Sequence, residues 1–392
     1  MTFDTAKATR FEFATATRII FGEGALGEIG PLAAEMGRKA LVVTGGTAAR
    51  AALLLELLAE QEIGTVTFSV TAEPTTEVAR LGTEHARESG CDLIVGFGGG
   101  SVLDTGKAIA ALLTNDGDPF DYLEVIGRGQ PLASPPLPYI AIPTTAGTGA
   151  EVTRNAVLGS PQQHVKVSLR SPLMLPRLAL VDPELAYSLP PEVTASTGLD
   201  ALTQVMEPYV SKRAGPLTDA LCREGMGRAA RSLRRAYEQG DDPAAREDMA
   251  LTSLFGGLAL ANAGLGAVHG FAGPLGGMFG GAHGAICARL LPHVMAVNVR
   301  ALQERSAGSP ALGRYEEIAR ILTGNDKAVA DDGVVWAQEL CQALQVPSLA
   351  SYGITQADLT EVIEKSSAAS SMRGNPIELT SDEMREILER AR

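Results

Sequence analysis

The chain has 392 residues, a length that predicts two domains and excludes a single small module. Its 33 Lys and Arg residues against 46 Asp and Glu residues give a net charge of −13, which repels phosphate backbones and anionic lipids. Hydrophobic residues make up 45% of the chain and aromatic residues 5%, so the composition predicts a globular protein and argues against nucleic-acid and membrane-surface roles.

The first half of the chain alternates short apolar strands with helices. An alternating segment at residues 11–22, FEFATATRIIFG, predicts an edge strand or a hairpin. Strand and helix patterns then follow in turn at residues 39–46, 47–61, 64–70, 75–90, 91–100 and 101–115, and further strands at 137–143 and 178–181. This order predicts βαβ units, and therefore a doubly wound α/β domain with a mostly parallel sheet.

Strand patterns stop beyond Pro190, and the rest of the sequence is helical. We therefore expect an α/β domain at residues 1–190 and an all-helical domain at 191–392. Residues 255–288 contain no charged side chain, but they include eleven glycines and two histidines. Such a mixture of small residues predicts close-packed buried helices joined by tight turns, not a lipid-facing span.

A glycine loop follows the apolar strand at residues 91–98. Gly98, Gly99, Gly100 and Ser101 lie where this strand turns into a helix, so backbone N–H groups at a positive helix end are open to a pyrophosphate. The spacing differs from GxGxxG, and Ser101 with Asp104 also forms a helix-capping pattern. The loop therefore predicts either a dinucleotide site or only the start of a helix.

A second loop of small residues, here called the threonine loop, spans residues 144–149. Thr144, Thr145 and Thr148 offer hydroxyl groups to a ribose or a nicotinamide, or they cap a turn. Two such loops at the carboxyl ends of strands in one open sheet favour a ligand site at that edge.

Four residues of the helical half form a candidate metal constellation. Asp200 and Gln204 are spaced i, i+4 on one helix, so their side chains share a face, and His269 and His283 lie in the uncharged stretch. A carboxylate, an amide oxygen and two imidazoles suit a divalent transition metal. The alternative is a helix cap at Asp200 and core histidines.

The four cysteines are widely spaced and form no CxxC pair, so they indicate neither a thiolate zinc site nor a disulfide framework. The N-terminal segment has charged residues and no apolar core, which argues against a secretory signal. We therefore expect a protein of the reducing cytoplasm.

Four segments resemble the iron-containing, group III metal-dependent alcohol dehydrogenases. They are GFGGGSVLDTGKAIA, AIPTTAGTGAEVTRNAV, VDPELAYSLPPEVTASTGLDALTQVMEPYVS and HGFAGPLGGMFGGAHGAICARLLPHVM. They occur in the order and at the spacings of that family and cover most of the chain. The resemblance implies a dehydroquinate synthase-like fold, with a cleft between the two domains that holds NAD(P) and a divalent metal, Fe²⁺ or Zn²⁺, and it suggests a homodimer.

The resemblance also implies roles for residues. Gly99, Gly100, Ser101 and Asp104 would line the diphosphate; Thr144, Thr145, Thr148 and Lys166 would hold ribose and nicotinamide; and Asp200, His269 and His283 match three of the family's four metal ligands.

Three positions depart from the family pattern. The fourth ligand position holds Gln204 where the family has histidine, which should weaken binding of a metal that prefers nitrogen. Gly273 stands where relatives often carry a proton-relay histidine, so we name no catalytic base. Gly45 stands where NAD-preferring relatives place an aspartate after the strand at 39–44; the missing carboxylate favours NADP(H), although NAD(H) also fits.

The sequence thus predicts hydride transfer between nicotinamide and a small alcohol, aldehyde or ketone, assisted by metal. One alternative is a metal-independent reductase of an unsaturated keto acid, resembling the maleylacetate reductases, which the loss of one histidine ligand favours. A lyase of the dehydroquinate synthase type is disfavoured, because residues 255–288 offer no Lys or Arg to clamp a phosphate leaving group. A non-catalytic nucleotide-binding protein is disfavoured by the retained ligand constellation.

Overall fold

The computed structural model describes residues 11–163 and 165–392. Its first part alternates strands with α-helices: β1 (Ile19–Phe21), α1 (Ile29–Ala34), β2 (Lys39–Thr44), α2 (Ala52–Ala59), β3 (Gly64–Ser69), α3 (Thr76–Glu88), β4 (Leu93–Gly98), α4 (Gly100–Thr114), α5 (Pro119–Tyr122), β5 (Tyr139–Pro143), β6 (Asn155–Ser160), β7 (Val165–Arg170) and β8 (Leu178–Val181).

The second part is helical. Its α-helices are α6 (Pro191–Val210), α7 (Pro216–Glu238), α8 (Pro243–Ala263), α9 (Ala267–Phe279), α10 (His283–Arg305), α11 (Pro310–Thr323), α12 (Ala330–Ala343), α13 (Leu359–Ala368) and α14 (Ser381–Ala391).

Six strands form one parallel sheet in the order β1-β8-β5-β4-β2-β3. Successive residues of β2 enter different cores, since Val42 packs with one apolar cluster and Leu41 and Val43 pack with another. Because side chains alternate across a strand, this places a core on each face of the sheet. The predicted doubly wound α/β domain is therefore confirmed.

The alternating N-terminal segment contributes a short edge strand, β1, which pairs in parallel with β8. The hairpin alternative is wrong, because the neighbour of β1 in the sheet comes from the far end of the domain. A hairpin does occur where the sequence analysis placed none: β6 and β7 pair antiparallel and form a separate two-stranded sheet.

The helical part packs around one apolar core to which α6, α7, α9 and α10 contribute buried residues. Among the described residues, α10 is the one helix long and apolar enough by itself to cross a membrane, yet 78% of its apolar window is buried inside the protein. The helices α8 and α9 pass the same test only as a pair, and they are bent by 98° at their junction. The burial of α10 is typical of a helix in a protein core.

The two parts approach each other closely at a pair of glycines. Gly149, at the end of the threonine loop, has a positive φ of 59° and lies against Gly257 of α8. A Cβ on Gly257 would lie 2.7 Å from the Cα of Gly149 and closer still to its carbonyl oxygen. Only glycine at both positions permits this approach, which fixes the threonine loop against the helical part.

Candidate functional site

The structure brings three of the predicted metal ligands together. Asp200 of α6, His269 of α9 and His283 at the start of α10 each offer a ligand atom, and Cys287 of α10 offers a fourth. These atoms all lie within 4.8 Å of one another, and we call the four residues the ligand cluster. Asp200 and Cys287 are fully buried, and His269 is nearly so.

Cys287 was missed by the sequence analysis, which considered cysteines only as CxxC pairs. It lies one helical turn after His283, and its Sγ is 3.7 Å from Nε2 of that histidine. Ligand residues spaced i, i+4 on a helix share one face. The i, i+4 spacing of His283 and Cys287 is the sequence signal that would have identified Cys287 as a candidate ligand.

A buried carboxylate orients His269. Oε2 of Glu207 lies 2.7 Å from Nδ1 of His269, and Oε1 of the same carboxylate accepts a hydrogen bond of 2.6 Å from the backbone N–H of Val268. In the neutral ring that would bind a metal, donation from Nδ1 leaves the lone pair on Nε2, and this Nε2 lies 3.2 Å from Oδ1 of Asp200. Glu207 therefore fixes both the tautomer and the direction that a metal ligand needs.

Glu207→Gln should weaken zinc binding by about 10 to 100-fold. A glutamine cannot accept from both the Val268 N–H and Nδ1–H of His269, because one end of its amide is a donor. Competition with a chromophoric chelator measures the affinity. Glu238→Gln, an exposed position on α7, is the matched control, and equal affinity of the two variants would contradict this role for Glu207.

The electrostatics of the cluster suit a cation. Burial alone would raise the pKa of Asp200, but the hydrogen bond with His269 and the charge of His283 outweigh burial and hold that pKa below its usual range. Burial would lower the pKa of His269, whereas Cys287, Asp200 and Glu207 together raise it well above its usual value. The surroundings thus favour positive charge at this place.

Gln204, the fourth predicted ligand, is buried beside the cluster but turns its nitrogen toward it. Nε2 donates to Oδ2 of Asp200 at 3.2 Å and to the carbonyl oxygen of Gly147 at 3.0 Å. An amide nitrogen has no lone pair for a metal. Within the described residues Oε1 of Gln204 has no hydrogen-bond partner. The bond to Gly147 ties the ligand cluster to the threonine loop, and a ligand role for Gln204 stays a prediction.

The glycine loop lies against the threonine loop at the carboxyl ends of β4 and β5. Gly99 caps α4 without a side-chain hydrogen bond, so the first N–H groups of that helix have no cap from this residue. A Cβ on Gly99 would lie 3.3 Å from Oγ1 of Thr145, and one on Gly100 would lie 2.8 Å from Cγ2 of Thr148. The N–H of Thr144 donates to the carbonyl oxygen of Gly98 at 3.0 Å. The predicted diphosphate and ribose residues therefore meet at one edge of the sheet.

Gly45 lies at the same edge. It follows β2, and Thr44 at the end of β2 is in register with Phe97 of β4, directly before the glycine loop. Among the described residues no heavy atom outside its chain neighbours lies within 4 Å of a Cβ built on Gly45. The space that an aspartate would fill in an NAD-specific site is open here.

Asp104 has internal partners. Its carboxylate lies 3.2 Å from Nζ of Lys107 and accepts a hydrogen bond of 3.1 Å from the N–H of Val157. Nζ of the buried Lys107 also donates to the carbonyl oxygen of Ala150 at 2.9 Å and to Oγ1 of Thr153 at 2.8 Å. These contacts join α4 to the segment after the threonine loop, and a diphosphate-binding role for Asp104 stays a prediction.

Lys166 lies between the two parts of the molecule. Its Nζ is 3.2 Å from Oε2 of Glu73 and 3.2 Å from where a Cβ on Gly276 of α9 would lie. The lysine side chain is 11% exposed. A cation at this place faces α9, the helix that carries His269.

The donor set of the ligand cluster fits a divalent metal, because one carboxylate, two imidazoles and one thiol offer the oxygen, nitrogen and sulfur ligands that zinc and iron accept. The glycine loop at an uncapped helix start fits a dinucleotide. An α/β domain with such a loop, joined through the threonine loop to a helical part with this cluster, is the arrangement expected of a nicotinamide-dependent oxidoreductase.

Comparison with known proteins gives the family. The model of the iron-containing alcohol dehydrogenases matches residues 16–183, and the C-terminal model of the Fe-containing alcohol dehydrogenase family matches residues 194–392. The chain is 35% identical over 378 residues to alcohol dehydrogenase 4 of Schizosaccharomyces pombe, covering 95% of this chain and 87% of that protein.

Solved structures agree with this result. A crystal structure of 1,3-propanediol oxidoreductase superimposes with a TM-score of 0.90 at 33% identity and covers 97% of this chain and 100% of its own. Sulfoacetaldehyde reductase from Bifidobacterium kashiwanohense, solved in complex with NAD⁺, gives a TM-score of 0.85 at 28% identity and covers 98% of this chain and 99% of its own.

The chain belongs to the iron-containing alcohol dehydrogenase family. It is an oxidoreductase that transfers a hydride between a nicotinamide cofactor and an alcohol or its carbonyl product. The predicted family, fold and enzyme class are confirmed.

Proposed function

We propose that the chain interconverts a small neutral alcohol and its aldehyde or ketone, with NADP(H) as the preferred cofactor and a divalent metal, Fe²⁺ or Zn²⁺, at the ligand cluster. The observation that carries this proposal is the meeting of Asp200, His269 and His283 within 4.8 Å, next to a loop that contacts the glycine loop. A metal held there supplies a Lewis acid that polarises the substrate oxygen.

The residues of the chain have separate parts in this proposal. Gly98 to Ser101 bind the diphosphate at the start of α4, and Thr144, Thr145, Thr148 and Lys166 hold ribose and nicotinamide. The carbonyl oxygen of Gly147, in the threonine loop, accepts a hydrogen bond from Gln204 beside the ligand cluster. This contact holds the loop next to the cluster, so a nicotinamide bound by the loop faces the metal ligands. Glu207 holds His269 in the ligand tautomer.

The preference for NADP(H) rests on Gly45. A carboxylate at that position accepts from the 2′-hydroxyl of NAD and repels a 2′-phosphate, and its absence removes the repulsion. The open space beside Gly45 leaves room for the phosphate. NAD(H) also fits the same site.

Cofactor and metal dependence are tested together on the purified enzyme. We expect NADPH to be consumed faster than NADH with a panel of aldehydes. Exhaustive chelation should abolish the activity, and Zn²⁺ or Fe²⁺ should restore it. Full activity in protein shown by metal analysis to be metal-free would contradict the proposal and favour the metal-independent reductase of an unsaturated keto acid.

Gly273 gives the substrate room beside the metal ligands. It lies one turn after His269 on α9, half-buried, and no heavy atom among the described residues lies within 4 Å of the position of a Cβ. Gly273 offers no side chain to the proton that the reaction moves, so water, a ribose hydroxyl or another side chain carries it.

Gly273→Leu should lower kcat/KM for benzaldehyde by about tenfold or more, while acetaldehyde turnover changes by less than about threefold. The added side chain fills space that only the larger aldehyde uses. Gly313→Leu, at an exposed and equally open position on α11, is the matched control. Equal loss for both aldehydes would contradict a lining role for Gly273.

The cellular setting and assembly are part of the same proposal. The four cysteines, Cys91, Cys222, Cys287 and Cys341, are free thiols, and three are buried, which suits a reducing cytoplasm. We expect a homodimer, which light scattering of the purified protein tests.

A further inference from the structure

We propose that Cys287 is the fourth protein ligand of the metal, taking the place that the family pattern gives to the residue at Gln204, and that its thiolate favours Zn²⁺ over Fe²⁺. This inference rests on the proposed metal site. It adds a ligand type that the family's set of one aspartate and three histidines does not contain.

The geometry of the cluster supports four ligands around one ion. With zinc bonds of about 2.0 to 2.1 Å to nitrogen or oxygen and about 2.3 Å to sulfur, a tetrahedron has edges of about 3.3 Å between N and O and about 3.6 Å between N and S. The structure has 3.2 Å between Nε2 of His269 and Oδ1 of Asp200, and 3.7 Å between Nε2 of His283 and Sγ of Cys287. Both edges match.

Gln204 is a weaker candidate for the same place. Its amide nitrogen lies toward Asp200 and is held there by a second acceptor, the carbonyl oxygen of Gly147. If the amide were turned to present its oxygen, that oxygen would face the Gly147 carbonyl and the Asp200 carboxylate, which are both acceptors and would repel it. Cys287 needs no such rearrangement, because Sγ already lies among the other three ligand atoms.

A buried cysteine is most often a small apolar residue of the core. Cys222 of α7 is fully buried in the same helical core as Cys287, but it does not belong to the ligand cluster. Cys287 is equally buried but has an imidazole nitrogen and a carboxylate as neighbours. A sulfur ligand among nitrogen and oxygen donors is the setting in which a soft ligand selects zinc.

Cobalt substitution of the full-length enzyme tests the inference. We expect the Co²⁺ form to show a near-ultraviolet sulfur-to-cobalt charge-transfer band in addition to visible d–d bands. Cys287→Ser should lose the charge-transfer band, keep the d–d bands and bind zinc at least about tenfold more weakly. Cys222→Ser should keep both sets of bands and the wild-type affinity.

The outcomes separate the two proposals. Cobalt that binds with d–d bands but without a charge-transfer band, or a band that Cys287→Ser leaves unchanged, overturns the role of Cys287 and leaves the metal site standing. Failure to bind cobalt or zinc at all overturns the metal site and this inference with it. If the serine variant fails to fold, X-ray absorption of the wild-type zinc form decides: one sulfur at about 2.3 Å supports the inference, and a shell of only nitrogen and oxygen overturns it.

Discussion

Asp200→Asn should lower kcat/KM by about a thousandfold, or about 4 kcal/mol of transition-state stabilisation. Asp200 is a fully buried carboxylate whose two oxygens face Nε2 of His269 and Nε2 of Gln204. An asparagine keeps the shape but removes the negative charge that balances a divalent cation. The metal content of the variant should fall together with its activity.

This variant also separates catalysis from cofactor binding. Asp200 does not belong to the glycine or threonine loops, so the Kd for NADPH should stay within about threefold of the wild-type value. Asp331→Asn, at an exposed position in the first turn of α12, serves as the control and should keep full activity and metal. Full metal occupancy and near wild-type turnover in Asp200→Asn would show that this carboxylate is not a ligand.

Gly257→Ala should lower the free energy of unfolding by about 3 kcal/mol. Its new methyl group would lie 2.7 Å from the Cα of Gly149 and closer to the carbonyl oxygen, both backbone atoms that cannot rotate away. Gly149 cannot adjust cheaply, because its φ of 59° already lies in the left-handed region. The threonine loop must therefore move away from α8.

The matched control is Gly227→Ala, in α7, where a Cβ would meet no heavy atom of the described residues within 4 Å. This change should raise stability by about 0.5 to 1 kcal/mol, as expected for glycine replaced in a helix interior. Urea unfolding followed by circular dichroism measures both variants. If Gly257→Ala were as stable as Gly227→Ala, the close approach of the two glycines would not exist in solution.

The type of fold could be predicted from the sequence, because short apolar strands alternate with helices along the first half of the chain. Residues 40–43 are all apolar, as a strand covered on both faces requires, and the structure confirms the parallel sheet. The sequence was insufficient for the order of the strands, since β1 pairs with β8, the last strand of the domain. Nothing local in Ile19–Phe21 specifies so distant a partner.

The ligand cluster was partly predictable for a similar reason. Asp200, His269 and His283 are rare residue types in apolar surroundings, so they attract attention in the sequence. Cys287 lies among apolar residues along the chain, and only its i, i+4 spacing from His283 marks it as a candidate. The folded arrangement of α6, α9 and α10 then brings its sulfur to the other three ligand atoms. The direction of the Gln204 amide depends on Gly147, a contact between the two parts that no spacing encodes.

Anomalous X-ray diffraction from crystals grown with zinc and NADPH tests the central claim most directly. We expect one anomalous peak at the zinc edge, enclosed by the side chains of Asp200, His269 and His283, with the nicotinamide ring beside it and the diphosphate on the glycine loop. A peak at another place, or a dinucleotide bound away from Gly99 and Gly100, would contradict the account.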